Sequence, residues 1–260
     1  MIHDAVLAAC DDADGLHDGL ISEPRQCKFD PKVLACKTED NSTCLTGPQV
    51  EAARKIMGSA RNPRTGTELF PGMMPGTELA WQVLAGGPEP SANAVTLFKY
   101  VVFNNPDWNW QTFDFDHDVA TSDKVELIQP LDPNLREFAR HGKLILYHGW
   151  ADGNVAPLST VNYYNSVTRI LGGASNVVRL FMSPGMAHCG GGEGPNSFDA
   201  VSALEQWVEH GKAPDQIIAS HRGADGKVDR TRPLCPYPQI ARYKGTGSID
   251  DAANFVCKAP

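Results

Sequence analysis

KLILYHGWADGNVAP (143–157) and VVRLFMSPGMAHCGGG (177–192) decide the fold. Each opens with a short apolar run of strand length and ends in a glycine-rich loop. Between them, residues at about 157–171 keep helical spacing and are closed by Gly172-Gly173. A further helix is predicted at about 197–210, closed by Gly211. Strand, helix, strand, helix implies parallel strands joined by a crossover helix. In an open α/β sheet, the loops after the carboxyl ends of the strands build the site. Asp152 after the first strand and His188 after the second are therefore expected to face one crevice. A carboxylate there would hold an imidazole in one tautomer, and the imidazole would take a proton from a nucleophile. The bland alternatives are a turn-capping aspartate and a hydrogen-bonded, partly buried histidine. The pairing on consecutive strands favours the functional reading.

An acid followed by a base is the second half of the order Ser…Asp…His found in α/β-hydrolases. Its first member would sit on a G-x-S-x-G elbow between a strand and a helix. Ser22, Ser42, Ser59, Ser91 and Ser122 all lack that context. The expected fold class is thus α/β, the C-terminal part of a serine hydrolase whose nucleophile lies upstream.

The rest of the chain bounds the function. It has 260 residues, 42% of them hydrophobic, which suffices for a sizeable core. A net charge of −8 repels phosphate backbones and argues against nucleic acid as a partner. No run approaches the roughly 20 apolar residues of a membrane span. Seven cysteines are present, and short separations suggest the pairs Cys10–Cys27, Cys36–Cys44 and Cys235–Cys257, with Cys189 left over. Several loop-closing pairs point to an oxidising compartment, so a secreted or periplasmic protein is expected. Residues 1–7 lack the basic and apolar regions of a signal peptide, so the signal is expected outside this chain. The odd cysteine agrees with a missing N-terminal half.

Residues 2–9 read as a helix with Ile2, Ala5, Val6 and Ala9 on one face, and 48–58 as another with Val50, Ala53, Ile56 and Met57. Residues 60–93, rich in Gly and Pro, read as irregular. The stretch 106–118 alternates aromatic and polar residues, including Trp108, Trp110, Phe113 and Phe115. The register changes near Pro130-Leu131-Asp132-Pro133, a short helix follows at 134–140, and 214–260 reads as a proline-rich tail with strand-like pieces. The acidic loop CDDADGLHDGLI (10–21) offers Asp11, Asp14 and Asp18 as hard oxygen donors, with carbonyls of Leu16 and Leu20 between them. That chemistry suits Ca²⁺, although the spacing is not that of an EF-hand. A solvated acidic turn is the plain alternative.

CDDADGLHDGLI, YVVFNNPDWNWQTFDFDHD, LILYHGWADGNVAP and PGMAHCGGG together resemble the tannase and feruloyl esterase family of α/β-hydrolases, over essentially all 260 residues. The resemblance implies hydrolysis of small aromatic esters, feruloyl or galloyl in type, with Asp152 as acid and His188 as base. It implies that Cys189 is a half-cystine whose partner precedes the nucleophilic serine. It implies a lid over residues 1–130, with a structural Ca²⁺ held by Asp11, Asp14, Leu16, Asp18 and Leu20 and two disulfides. Residues 131–260 would then be the C-terminal part of the hydrolase core. The family's Cys-Ser pair and oxyanion-hole region are absent from this sequence. Val155, three residues after the acid, and the aromatic residues Trp108 and Trp110 are candidates for a substrate pocket, with lid packing as the alternative for the tryptophans. His117 and His148 read as structural. The rival expectation is a non-catalytic calcium-binding module or an inactive fragment.

Overall fold

The computed structural model describes residues 1–37, 42–85, 87–125, 131–173 and 176–260. Leu144–Gly149 and Val178–Ser183 are adjacent parallel strands, in register from Leu144 opposite Val178 to Gly149 opposite Ser183. The crossover is the helix Leu158–Leu171, which starts after Pro157 and stops where Gly172 takes a left-handed φ of 68°. Successive side chains on a strand point to opposite faces, and both faces of the second strand are covered. Leu180 and Met182 pack with Met74, Trp150 and Val161. Val178 packs with Val167 and Val177. Phe181 turns the other way, against Ile217, Ala219 and Leu234. Each such side chain contributes about 1.5–3 kcal/mol by leaving water. The first strand is less covered, and Tyr147 stays 51% exposed.

The helix predicted at about 197–210 is Ala200–His210. Asp199 caps it by accepting from the Ser202 N–H, and Gly211 closes it in the left-handed region. The tail resolves into two antiparallel pairs, Ile217–Arg222 with Val228–Leu234 and Ile240–Tyr243 with Phe255–Lys258. Cys235–Cys257 joins the ends of these pairs across a Cα separation of 5.5 Å.

In the N-terminal half, the helix Ile2–Cys10 buries His3, Val6 and Cys10. The buried face is thus rotated from the expected one, and Ala9 is exposed. Cys10 goes inward because it bonds to Cys27, and His3 because both its ring nitrogens find carboxylates. The helix Gly47–Met57 starts at a reciprocal Thr46–Gln49 cap and buries Val50 and Ala53. Residues 60–93 are more ordered than expected: Ala60–Arg61 pairs antiparallel with Glu68–Phe70, and the single turn Glu78–Ala80 follows. The expected helix at 134–140 is the shorter Arg136–Ala139. The Cys10–Cys27 and Cys36–Cys44 bridges form as paired from the spacing, with Cα separations of 5.3 and 4.9 Å, and Cys189 is free and exposed. The expected boundary at 130, Pro130 included, falls at residues 126–130, outside the described residues.

The two halves are joined by specific contacts. Arg25 lies over the rings of Tyr237 and Trp150, at 4.9 and 5.9 Å. Arg232 Nη2 donates to Asp18 Oδ2 at 2.7 Å, and Arg242 Nη1 donates to the Asp14 carbonyl at 2.6 Å. Among the described residues, no helix is long and apolar enough to cross a membrane.

Candidate active site

The parallel register sets the site. Gly149 and Ser183 end the two strands side by side, so the loops that follow leave the sheet together. Gly149 permits their contact: a Cβ there would lie 2.0 Å from the Met186 carbonyl oxygen. Backbone bonds then lace the loops, Trp150 N–H to Ser183 O at 2.8 Å and Ala151 N–H to Met186 O at 3.0 Å.

Asp152 is buried and receives four hydrogen bonds. Its Oδ1 accepts from the N–H groups of Asn154 and Val155 at 2.8 and 3.0 Å. Its Oδ2 accepts from His188 Nδ1 at 2.9 Å and from His148 Nε2 at 3.0 Å. Burial opposes ionisation of this carboxyl, but the bonds from His148, His188, Val155 and Asn154 outweigh it and hold the group well below the usual carboxylate range. Asp152 is therefore an anion that accepts from two imidazoles.

His188 has a 44% exposed side chain. Its Nδ1 is fixed on Asp152, which leaves Nε2 as the acceptor, and Nε2 has no hydrogen-bond partner among the described residues. No serine hydroxyl lies on it. Cys189 follows with a left-handed φ of 59°, uncommon for a residue with a Cβ. Such an Asp–His pair can orient an imidazole and stabilise its charged form. Among the described residues, no nucleophilic side chain bonds to that nitrogen.

His148, read as structural from the sequence, sits within the same constellation. Its Nδ1 meets Thr160 Oγ1 at 2.7 Å, so it is anchored on the crossover helix while it donates to Asp152. His148 stands on the strand next to its last residue, Gly149, four residues before Asp152. Val155 belongs to the site too, through its N–H to Asp152 and a side chain that is 38% exposed. Trp108 and Trp110 lie elsewhere. Trp108 stacks on Phe98 at 5.3 Å within a ring cluster that includes Phe103 and Phe113. Trp110 lines a separate groove with Tyr100 and Lys99. None of their described contacts reaches the Asp152 or His188 loop. A cavity of about 310 Å³ does adjoin those loops, lined by Ala151 and Ala187 on one side and by Leu20, Ile21 and Leu79 on the other.

The acidic loop is folded on itself. Asp11 accepts from the N–H groups of Asp18 and Gly19, Asp14 from that of Leu16, and Asp18 from that of Leu20. Burial pushes the Asp18 carboxyl up and nearby Asp14 adds to this, while Arg232 and Arg230 pull it back. All five expected ligands offer oxygen, which fits a hard cation. Yet Asp18 is engaged by Arg232, and among the described residues no three His, Cys, Asp or Glu side chains gather as a metal site.

With this geometry in place, the relatives are informative. A family model described as tannase and feruloyl esterase matches residues 1–258. An uncharacterised esterase of Xanthomonas campestris is 36% identical over 98% of this chain and 54% of its own length. The mono(2-hydroxyethyl) terephthalate hydrolase of Piscinibacter sakaiensis is 36% identical over 100% of this chain and 51% of its own length. The chain thus spans about half the length of the curated relatives it matches. The crystal structure of feruloyl esterase B from Aspergillus oryzae superposes on 99% of the chain and 55% of that structure, with a TM-score of 0.89 at 30% identity. The tannin acyl hydrolase of Aspergillus niger shares the fold, with a TM-score of 0.78 at 19% identity. The fold is of the α/β-hydrolase type, and the chain belongs to the tannase and feruloyl esterase family.

Proposed function

We propose that residues 1–260 supply the acid and base of a serine carboxylesterase for small aromatic esters, feruloyl or galloyl in type. The nucleophilic serine comes from a segment outside these residues. The observation that carries this reading is the Nδ1 bond of His188 to buried Asp152, with the His188 side chain 44% exposed and its Nε2 without a hydrogen-bond partner among the described residues. In the reaction, Nε2 takes the serine proton as the oxygen attacks the ester carbonyl. The imidazolium, stabilised by Asp152, returns that proton to the leaving alcohol as the acyl-enzyme forms. Water, deprotonated by the same nitrogen, then attacks the acyl carbon; the acyl–serine bond breaks, the proton passes to the serine oxygen, and the aromatic acid is released. The relatives named as a feruloyl esterase and a terephthalate monoester hydrolase support an aromatic acyl group.

Within this reading, residues 1–130 act as the lid and 131–260 as the core. Cys189 bridges to the cysteine before the serine, and the three disulfides favour the periplasm or the outside of the cell. Ca²⁺ is held by Asp11, Asp14, Leu16, Asp18 and Leu20. The role of these residues would be structural, since a bound cation would offset the burial that pushes the Asp18 carboxyl up.

The experiment is to assay methyl ferulate and methyl gallate with this chain alone and joined to its upstream coding segment. Turnover only in the joined protein, lost in His188→Ala, is expected. Turnover by the lone chain that dies with Ser59→Ala, or no turnover in either, overturns the proposal; the latter favours a non-catalytic calcium-binding module. A calcium titration followed by melting temperature checks the metal, which should raise the midpoint of the lone chain; an unchanged midpoint removes calcium from the reading.

A further inference from the structure

His3 is 7% exposed and bonds a carboxylate at each ring nitrogen. Nδ1 lies 3.1 Å from Glu78 Oε2, and Nε2 lies 2.8 Å from Glu193 Oε2. An imidazole that donates from both nitrogens is an imidazolium. Burial by itself would lower the His3 pKa, but the bonds and charges of Glu78 and Glu193 prevail and raise it. These two glutamates, from the turn Glu78–Ala80 and the loop after His188, are the charged groups that face the ring. Asp4, on the same helix, is turned to the terminal amine at 3.0 Å.

The two carboxylates belong to segments that bear on the acid and the base. The turn holding Glu78 presses on the Asp152 loop: a Cβ at Gly153 would lie 2.7 Å from Ala80 Cβ and 2.9 Å from the Thr77 carbonyl oxygen. Glu193 closes the loop that carries His188. In that loop Gly185 and all four of residues 189–192 have positive φ. A backbone so rich in glycine loses much entropy when it is fixed. Among the described residues, two side chains of residues 184–194 hydrogen-bond to the rest of the molecule, His188 to Asp152 and Glu193 to His3, and Asn196 Nδ2 donates to the Gly194 carbonyl at 2.9 Å.

We infer that His3 is a positioning residue for His188: through Glu193 and Glu78 it fastens the base loop and the turn covering the acid loop to one N-terminal helix. The inference rests on the reading of Asp152 and His188 as acid and base. Its consequence is local. Without the tether the loop swings more often, and the Nδ1–H bond to Asp152 opens more often.

The test follows the His188 Nδ1 proton by ¹H–¹⁵N NMR in the 260-residue chain. In Glu193→Ala, its exchange with water should be roughly fivefold faster, as for loss of one partly exposed hydrogen bond to a charged group. Glu193→Gln, which keeps an acceptor for His3, should exchange at nearly the parent rate. A purely structural His3 would lower the melting temperature of Glu193→Ala and leave the His188 proton unchanged, and that result overturns the inference, as does failure of Gln to rescue. Esterase assays on the joined protein decide the acid–base reading separately. Faster exchange in Glu193→Ala together with no turnover would refute that reading and leave the tether standing.

Discussion

Asp152 is 3% exposed and accepts four hydrogen bonds, two from its own loop and two from histidines. His188, on the neighbouring loop, makes one, and its side chain is 44% exposed. The first loop follows a strand end directly and organises itself: the carboxylate orders the N–H groups of Asn154 and Val155, and His148 anchors it on Thr160. The second runs through consecutive left-handed residues and takes its support from other parts of the molecule. The difference teaches that Asp152, the proposed acid, is held by its own loop and strand. The base is aimed by contacts at a distance, Glu193 on His3 and, in the proposed full enzyme, Cys189 on an upstream cysteine.

The largest expected effect tests whether the finished acid matters to the exposed base. Asp152→Asn in the joined protein should lower kcat on methyl ferulate by roughly 10³–10⁴-fold, because an amide favours the wrong tautomer of the imidazole. A loss under tenfold would mean that His188 needs no such partner, and the comparison would fail at its centre.

The next effect is on stability and contrasts the two loops directly. His148→Ala leaves the buried Asp152 carboxylate short of a donor and should cost about 1–3 kcal/mol in urea unfolding of the 260-residue chain. Glu193→Ala, at a side chain that is 52% exposed, should cost no more than about 1 kcal/mol. Equal losses would show that the base loop is as firmly built as the acid loop.

Much of this pair was legible in the sequence, since short apolar runs marked both parallel strands and glycines marked the ends of both long helices. Asp152 and His188 followed from strand order alone, because loops after neighbouring parallel strands must meet. The second donor to Asp152 was harder to see. His148 lies inside a strand run, where a histidine reads as packing, and only the turn of the chain at Gly149 brings it back to the acid. His3 and Glu193 are 190 residues apart, and no local pattern reports such a contact. The tryptophans at 108 and 110 left two readings open, a pocket wall and lid packing. Aromatic residues between polar ones fit a pocket wall, but Phe98 and Phe103 supply the rings that Trp108 stacks on. The pairing of cysteines was readable because the loops they close are short.

The smallest expected effect concerns pH and again separates the two loops. The Asp152 carboxyl is depressed in the folded chain by the donors around it, while in the unfolded chain it titrates near 3.9, as a model carboxyl does. Between those two values the unfolded chain binds the extra proton and the folded chain does not, so falling pH favours unfolding. The stability that Asp152 contributes is therefore fully present above about pH 4–5 and is lost as pH falls through the folded value. Other carboxylates titrate in the same range, but they cancel in a difference between two chains. The gap in unfolding free energy between the parent and Asp152→Asn, measured in urea, should thus be widest near neutrality and should narrow steadily below about pH 4. His148→Ala should flatten that narrowing, because one of the donors that depress the carboxyl is gone. Glu193→Ala should flatten it less, because Glu193 acts on Asp152 only through the loop that carries His188. A gap that stays constant from neutrality to pH 3 would mean that the acid is not held in its charged form by these bonds. The contrast between a pre-built acid and an aimed base would then lose its electrostatic ground.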